Sequence, residues 1–198
     1  MPTERVVEIP WALMQLPQAG VILDVGSCDA DYLGVIQQAD RQLHCLDPRD
    51  CREDVPPGAV FHHQSLIGND LPEHAFDAVL LLSVLEHIGL PCYGQSPFAD
   101  GDQLALAEVW RLLKPGCPAI VTVPAGQSKV VSWYRQYHPS TLQRLFRGWR
   151  TQILYWGFAG GRYAPISEGE VEQHDYRDYH ARGAGAGALA GIVAYPST

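Results

Sequence analysis

Short apolar runs alternate along this chain with polar breaks that carry Gly or Pro, and the spacing of the apolar positions changes from run to run. Residues 21–25, 43–47, 59–63, 77–83, 119–123, 151–157 and 189–195 read as strands, the richest of them nearly continuous in Val, Ile and Leu, as strands covered on both faces are. Between them Leu106, Val109, Trp110 and Leu113 recur at helical spacing and predict a helix over 102–113, stopped by Lys114-Pro-Gly116. Further helices are predicted near 30–39 and 140–147, the second capped by Ser140 and Thr141 after Pro139. The stretch 49–58 carries Pro56 and Pro57 and predicts no helix, so one side of the sheet is expected to be thin. Residues 1–20 hold Pro10, Trp11, Leu13, Met14 and Leu16 and form an apolar arm expected to pack on the sheet rather than to close over a pocket. Alternating strands and helices predict an α/β fold. With 198 residues, 46% of them apolar, the expectation is one domain over 1–198.

Two stretches carry chemistry. In Val21-Ile-Leu-Asp-Val-Gly-Ser-Cys-Asp29 a strand breaks into a Gly turn, and Leu43-His-Cys-Leu-Asp-Pro48 is a second apolar run that ends in an acid. Gly26 lets the backbone turn sharply and a ligand approach it. Asp47, at the tip of the second strand, can accept hydrogen bonds from both hydroxyls of a ribose; the competing reading is a turn carboxylate before Pro48. A dinucleotide loop also wants Gly where this chain has Cys28 and Asp31. Asp29 and Asp31 would repel a pyrophosphate at the helix start. S-adenosylmethionine lacks phosphate and carries a sulfonium and an ammonium, so acids here do it no harm.

The later motifs fall in a definite order: Phe76-Asp-Ala-Val79, Leu85-Glu-His-Ile88, Leu113-Lys-Pro-Gly116 and Val121-Thr-Val-Pro124. With the first two stretches, this set resembles the class I S-adenosylmethionine-dependent methyltransferases over residues 20–124. Leu85 to Gly94, with Gly101-Asp102, is similar to a smaller branch of such proteins that has the Leu-Glu-His-Ile-Gly motif. The resemblance implies a Rossmann-like, seven-stranded, mostly parallel sheet with a terminal antiparallel strand, and a loop over 157–187 between the last two strands. It implies S-adenosyl-L-methionine as cofactor, with Asp24, Gly26, Ser27 and Cys28 in the first motif and Asp47 on the ribose. Pro48 and Arg49 would flank the adenine, Ser65 and the Leu66 amide would meet the ring, and Ser83 would lie where cofactor and substrate meet. Cys28 and Ala30 stand where the family has later glycines.

The methyl of such a cofactor is already activated, so the protein has to align an acceptor and exclude water. A hydroxyl acceptor also needs a base, and His serves near neutral pH. His87, after the fourth strand, is the first candidate and His138 the second; a helix cap or a bond to a backbone carbonyl is the competing reading for His87. Glu86 can face the cofactor's amino group or the substrate. Loops 89–102, 124–139 and 157–187 carry Tyr93, Phe98, Trp133, Tyr134, Tyr137, Tyr163, Tyr176 and Tyr179, which points either to a flat, partly apolar small-molecule acceptor or to loops packing on one another. Two rivals stand beside methyl transfer to O or N: a non-catalytic S-adenosylmethionine-binding protein and a nicotinamide-dependent oxidoreductase.

Charge and cysteines narrow the partners. A net charge of −8, with 14 basic against 22 acidic residues, disfavours nucleic acid, and Arg135, Arg144, Arg147 and Arg150 read as a solvated helix face. No run is long and apolar enough for a membrane span and the N-terminus lacks a secretory pattern, so a cytoplasmic location is expected. Five cysteines, with no Cys-x-x-Cys pair, are expected to be free thiols and not a disulfide or zinc framework. Glu168, Glu170, Glu172, His174, Asp175, Asp178 and His180 read as a solvated acidic loop with no metal spacing. Gly183 to Ala188 reads as a flexible lead into the last strand.

Overall fold

The computed structural model describes residues 3–38, 40–176 and 185–197. Its strands are β1 (Gly20–Val25), β2 (Arg41–Asp47), β3 (Val60–His63), β4 (Ala78–Leu82), β5 (Ala119–Ala125), β6 (Lys129–Val130), β7 (Arg135–Gln136), β8 (Trp149–Ala159), β9 (Arg162–Ile166) and β10 (Ala188–Pro196). The helices are α1 (Arg5–Gln15), α2 (Leu33–Ile36), α3 (Gly101–Leu112) and α4 (Pro139–Leu145). The main sheet runs β3-β2-β1-β4-β5-β10-β8-β9. β1 to β5 pair in parallel, while β10 inserts antiparallel between β5 and β8. This is the α/β Rossmann-like methyltransferase fold.

Period-two burial explains the continuous apolar runs. Leu23, Val25, Val79, Leu81 and Val121 face one side with Leu106 and Val109 of α3 and Leu142 of α4. Ile22, Leu43, Leu80, Leu82 and Ile120 face the other with Trp11, Ala12 and Leu16 of the α1 region and Leu33 and Ile36 of α2. Each strand therefore needs apolar residues at both parities. The expected apolar arm is a helix, α1, packed on β4, β5 and β10, with Trp11 edge-on to Trp156 at 5.6 Å between ring centroids.

Four expectations about the strands and helices are corrected. The sheet has eight strands, not seven, because β9 folds back on β8 as a hairpin. The 157–187 stretch is thus not one loop: β9 is followed by a 3-10 helix, Glu168–Gln173, whose Ser167 and Glu170 cap each other. Helix 30–39 shrinks to the single turn of α2, and Ala39 lies outside the described residues. Trp110 leaves the α3 core face: it is 36% exposed and packs edge-on to Trp149 at 5.0 Å. Leu106, Val109 and Leu113 are buried as expected.

The acidic loop is spent on structure. Glu172 bonds His138, and Asp175 bonds Lys129 and Gln136. Asp178, Tyr179, His180 and Gly183 lie outside the described residues. Arg135 departs from the solvated face expected for it: its guanidinium donates to the Ile88 carbonyl at 2.7 Å and lies 3.8 Å from Asp102. No described helix is long and apolar enough to cross a membrane.

Asp77 ties the start of β4 to its neighbours. One oxygen accepts from the Val21 amide at 2.8 Å and from Lys114 Nζ at 2.8 Å. Burial opposes ionisation, but these bonds outweigh it and hold the carboxyl below its ordinary value of 3.8. A depressed carboxyl stabilises the fold above the unfolded value, and that contribution is lost as pH falls through the folded one. Asp77→Ala is expected to destabilise by about 1–3 kcal/mol at neutral pH by stranding the Val21 N–H. Urea melts on both proteins should show the difference shrinking in acid.

Candidate active site

The chain leaves β1 toward β2 and β3, then returns to β4 on the other side of β1. Loops that diverge this way open a crevice beyond the carboxyl ends of the strands. A pocket lies there, lined from β1 and its loop by Val25, Gly26, Cys28, Asp29, Ala30 and Tyr32, and from β4 onward by Leu82, Ser83, Val84, His87 and Ile88. Gly26 has φ +78, and a Cβ there would stand 2.6 Å from a Val84 methyl. Only glycine lets the two loops meet this closely.

Asp24 and Ser27 are fully buried beneath this loop and do not line the pocket. Asp24 accepts from Ser27 Oγ at 2.8 Å and Tyr32 Oη at 2.9 Å. Burial dominates over these bonds and pushes its carboxyl up to about 7. The pair fixes the loop from below, and Tyr32 carries that support to the pocket wall.

At the β2 end Asp47 is 2% exposed. Its Oδ2 accepts from the Cys28 amide at 2.9 Å, and its Oδ1 from the Arg49 amide at 2.9 Å and Arg49 Nε at 3.2 Å. Arg49 also bonds Asp29 and lies 5.3 Å from the centroid of the Tyr93 ring. A ribose reaching Asp47 must displace the Arg49 side chain. Pro48, Ser65 and Leu66 line this end as well.

The free-thiol expectation fails here. Cys28 and Cys51 form a disulfide, while Cys45, Cys92 and Cys117 are free. The bridge ties the β1 loop to the helix-poor stretch after β2. Disulfides persist in oxidising compartments, so the cysteines lend no support to a cytoplasmic location. Among the described residues, Cys28, Asp47 and Cys51 are the one group close enough to share a metal ion, and its two sulfurs are bonded to each other.

The β4 end is held from below by α1. Ser83 has φ +53, a strained value for a non-glycine. Its amide donates to Thr122 Oγ1 at 2.9 Å, and its hydroxyl to Glu8 Oε2 at 2.9 Å. Glu8 is fully buried, also accepts from Thr122 Oγ1 at 2.6 Å and pairs with Arg5 at 3.2 Å. Burial raises its pKa despite Arg5.

His87 lines the pocket with its ring stacked on Trp133. Its Nδ1 meets the Trp133 carbonyl, and since a carbonyl only accepts, Nδ1 carries the proton and the neutral ring keeps a lone pair on Nε2. The bond to a backbone carbonyl, set out above as the competing reading, is thus present, and it orients the ring. Burial lowers the His87 pKa, with Arg5 and Arg135 adding to the effect and the Trp133 bond opposing it. Nε2 lies 3.8 Å from Glu86 Oε1. Glu86 is 2% exposed, its Oε2 has no partner among the described residues, and burial raises its pKa well above the ordinary carboxylate range. Burial therefore favours its neutral form and weakens its pull on a proton of His87.

His138 stands elsewhere. It caps α4 by accepting from the Ser140 amide and bonds Glu172, and it is not among the pocket residues. Of the three loops, 89–102 reaches the pocket, through Cys92, Tyr93 and Gln95. Loop 124–139 contributes the Trp133 carbonyl, while Trp133, Tyr134 and Tyr176 pack on one another at 4.3–5.8 Å. Sequence reading missed Arg5 and Tyr32 among the lining residues; the signal for Arg5 was the Arg5/Glu8 spacing of one helical turn inside an otherwise apolar arm.

No family model matches the sequence, and no curated protein matches it. Solved structures match the fold. The 1,6-didemethyltoxoflavin-N1-methyltransferase of Burkholderia thailandensis, solved with 1,6-didemethyltoxoflavin and S-adenosylhomocysteine, is 13% identical with a TM-score of 0.66, over 97% of this chain and 79% of that one. A SAM-dependent methyltransferase from Archaeoglobus fulgidus is 14% identical with a TM-score of 0.66, over 97% and 94%. The 4+2 cyclase SpnF is 16% identical with a TM-score of 0.63, over 96% and 80%. Proteins of more than one chemistry therefore share this architecture, and activity has to be argued from the site.

Two predictions follow from the loop geometry. Gly26→Ala is expected to cost about 1–2 kcal/mol from the left-handed backbone alone, more once Val84 is displaced, as read by denaturant melts. Cys51→Ser is expected to lose about 2–4 kcal/mol of stability, an effect that a reducing agent should reproduce in the unmutated protein and not in the variant.

Proposed function

We propose that this chain is an S-adenosylmethionine-dependent methyltransferase that acts on a hydroxyl of a small molecule, with His87 as general base. The observation that carries the reading is the Trp133 carbonyl on His87 Nδ1, which leaves a basic Nε2 on a residue that lines the pocket. The residues fit the nucleoside cofactor: Gly26 exposes backbone, Asp47 offers an acid to a ribose, and Leu66 with Pro48 supplies apolar surface for a base. The dinucleotide rival fits less well. α2 has four residues and is too short to present the helix terminus that holds a pyrophosphate, and Asp29 stands exposed beside it.

When bound, S-adenosylmethionine supplies a methyl group that leaves its sulfur, the S–C electron pair staying on sulfur, and joins the acceptor oxygen. His87 Nε2 takes the hydroxyl proton as that bond forms and later releases it to water. Burial and the neighbouring arginines keep the imidazole neutral and ready to accept. Ser83, fixed by Glu8 and Thr122, holds the β4 end of the pocket in one shape, so the acceptor meets a preformed wall.

The test is transfer of radiolabelled methyl from S-adenosylmethionine to pooled small-molecule extracts, with Asp47→Ala as the cofactor-site control. Label should reach a small molecule and be lost in the variant. Saturable S-adenosylhomocysteine binding without transfer to any pool favours the non-catalytic rival, and tight NAD binding favours the oxidoreductase. With the acceptor in hand, His87→Gln is expected to lower kcat by about 10²–10⁴-fold. The acid limb of the unmutated enzyme should have its midpoint below the ordinary histidine value of 6.5, because activity falls as His87 becomes protonated.

A further inference from the structure

The charges lining the pocket are unequally committed. Asp29 and Asp47 are both bonded by Arg49 at the ribose end. Arg5, the other arginine of the lining, comes from the first turn of α1. Its side chain is 49% exposed, its ion pair is the 3.2 Å contact with Glu8, and its guanidinium donates no hydrogen bond among the described residues. Glu8 Oε1, the oxygen that faces Arg5, likewise has contact without hydrogen-bond geometry. The other oxygen takes the Thr122 and Ser83 hydroxyls.

That arrangement fixes α1 without using up the guanidinium. Glu8 locks the helix to the end of β4 and the middle of β5, and Arg5, three residues earlier, is carried to the pocket with no hydrogen bond from its guanidinium among the described residues beyond the ion pair with Glu8. Through Glu8 and Ser83 Arg5 is tied to the β4 end of the cavity, where His87 also lies, and it is close enough to Tyr32 of the β1 loop to act on it electrostatically. The lining residues there, Val84, Ile88 and Tyr93, carry no carboxylate; the acids that act on Arg5, which are Glu8, Glu4 and Glu86, are not themselves part of the lining. A guanidinium in that position is matched by a carboxylate, which it can take in a bidentate pair.

We propose that Arg5 is a specificity-determining residue that binds a carboxylate at the acceptor end of the pocket, so that the acceptor is a small hydroxy acid. The inference rests on the methyl-transfer reading and names its substrate class. Arg5 holds the acid group while His87 Nε2 receives the proton of the hydroxyl to be methylated; the carboxylate stays ionised and its bonds are unchanged by the reaction. The same fork would also suit the carboxylate of the cofactor's own amino-acid tail, so the experiment separates the two sources.

Calorimetry supplies the test, on the full chain as wild type, Arg5→Met and Arg5→Lys, with thermal melts to establish that each is folded. The probes are S-adenosylhomocysteine, 5′-methylthioadenosine (which lacks the amino-acid tail), and salicylate and 4-hydroxybenzoate with their uncharged amides. In wild type at least one acid should bind about tenfold or more tightly than its amide. Arg5→Met should bring the two within about twofold, and Arg5→Lys should keep part of the preference. S-adenosylhomocysteine affinity should be the same in all three proteins. Equal binding of acid and amide, binding of neither, or a preference that survives Arg5→Met overturns the assignment. So does a loss of S-adenosylhomocysteine affinity in Arg5→Met that 5′-methylthioadenosine does not share, which gives Arg5 to the cofactor tail. The acid and amide titrations are repeated without nucleoside, so absent S-adenosylhomocysteine binding would sink the methyl-transfer reading while Arg5 is still judged on its own.

Discussion

The close approach of Gly26 to Val84 is the constraint from which the site follows. β1 and β4 are parallel neighbours, and the loops that leave them part at their carboxyl ends. With a Cβ at Gly26 those loops would separate, and the floor between the β1 loop and the His87 turn would open. Everything that lines the crevice is referred to this contact. Asp24, Ser27 and Tyr32 brace the β1 loop from beneath, Glu8 and Thr122 brace Ser83, and Trp133 fixes the ring of His87.

Asp24, Glu8 and Glu86 are all almost wholly buried, and burial raises the pKa of each. Burying one carboxyl without full compensation is costly, and here three such groups gather around one cavity. Stability alone is a poor reason for the grouping, since apolar replacements of buried polar groups are often neutral or better. Perturbed groups beside a cleft make it a candidate functional site. The shift at Glu86 also bears on His87: burial favours the neutral carboxyl, which draws a proton onto the imidazole less than a carboxylate would, and burial lowers the His87 pKa directly.

The fold was legible where burial on both faces writes itself into sequence. β1, β2, β4, β5 and β10 each lie within a residue or two of the runs of Val, Ile, Leu and Ala that announce them. β9 was not, because Arg162-Tyr-Ala-Pro-Ile166 is a short edge strand, mostly exposed, with no clear period and a proline inside it. The disulfide was hidden for another reason: Cys28 and Cys51 sit in loops 23 residues apart, and only the fold of β1 beside β2 brings those loops together. Of the residues expected at the site, Gly26, Cys28, Asp47, Pro48, Ser65, Leu66, Ser83 and His87 line one pocket. Asp24 and Ser27 support it from below, and His138 caps a helix away from it. Arg5 was passed over because α1 looked like an apolar arm: the Arg5/Glu8 spacing marks a helical turn, but nothing in it says that Glu8 turns inward to Ser83.

The central claim is that this crevice takes a phosphate-free adenosine cofactor with Asp47 on its ribose. Parallel calorimetric titration with S-adenosylhomocysteine and NAD, on wild type and Asp47→Ala, tests it most directly. The account predicts saturable heat from S-adenosylhomocysteine in wild type, its loss in the variant, and none from NAD. Binding of NAD alone, of neither ligand, or of S-adenosylhomocysteine with undiminished affinity in Asp47→Ala would contradict it.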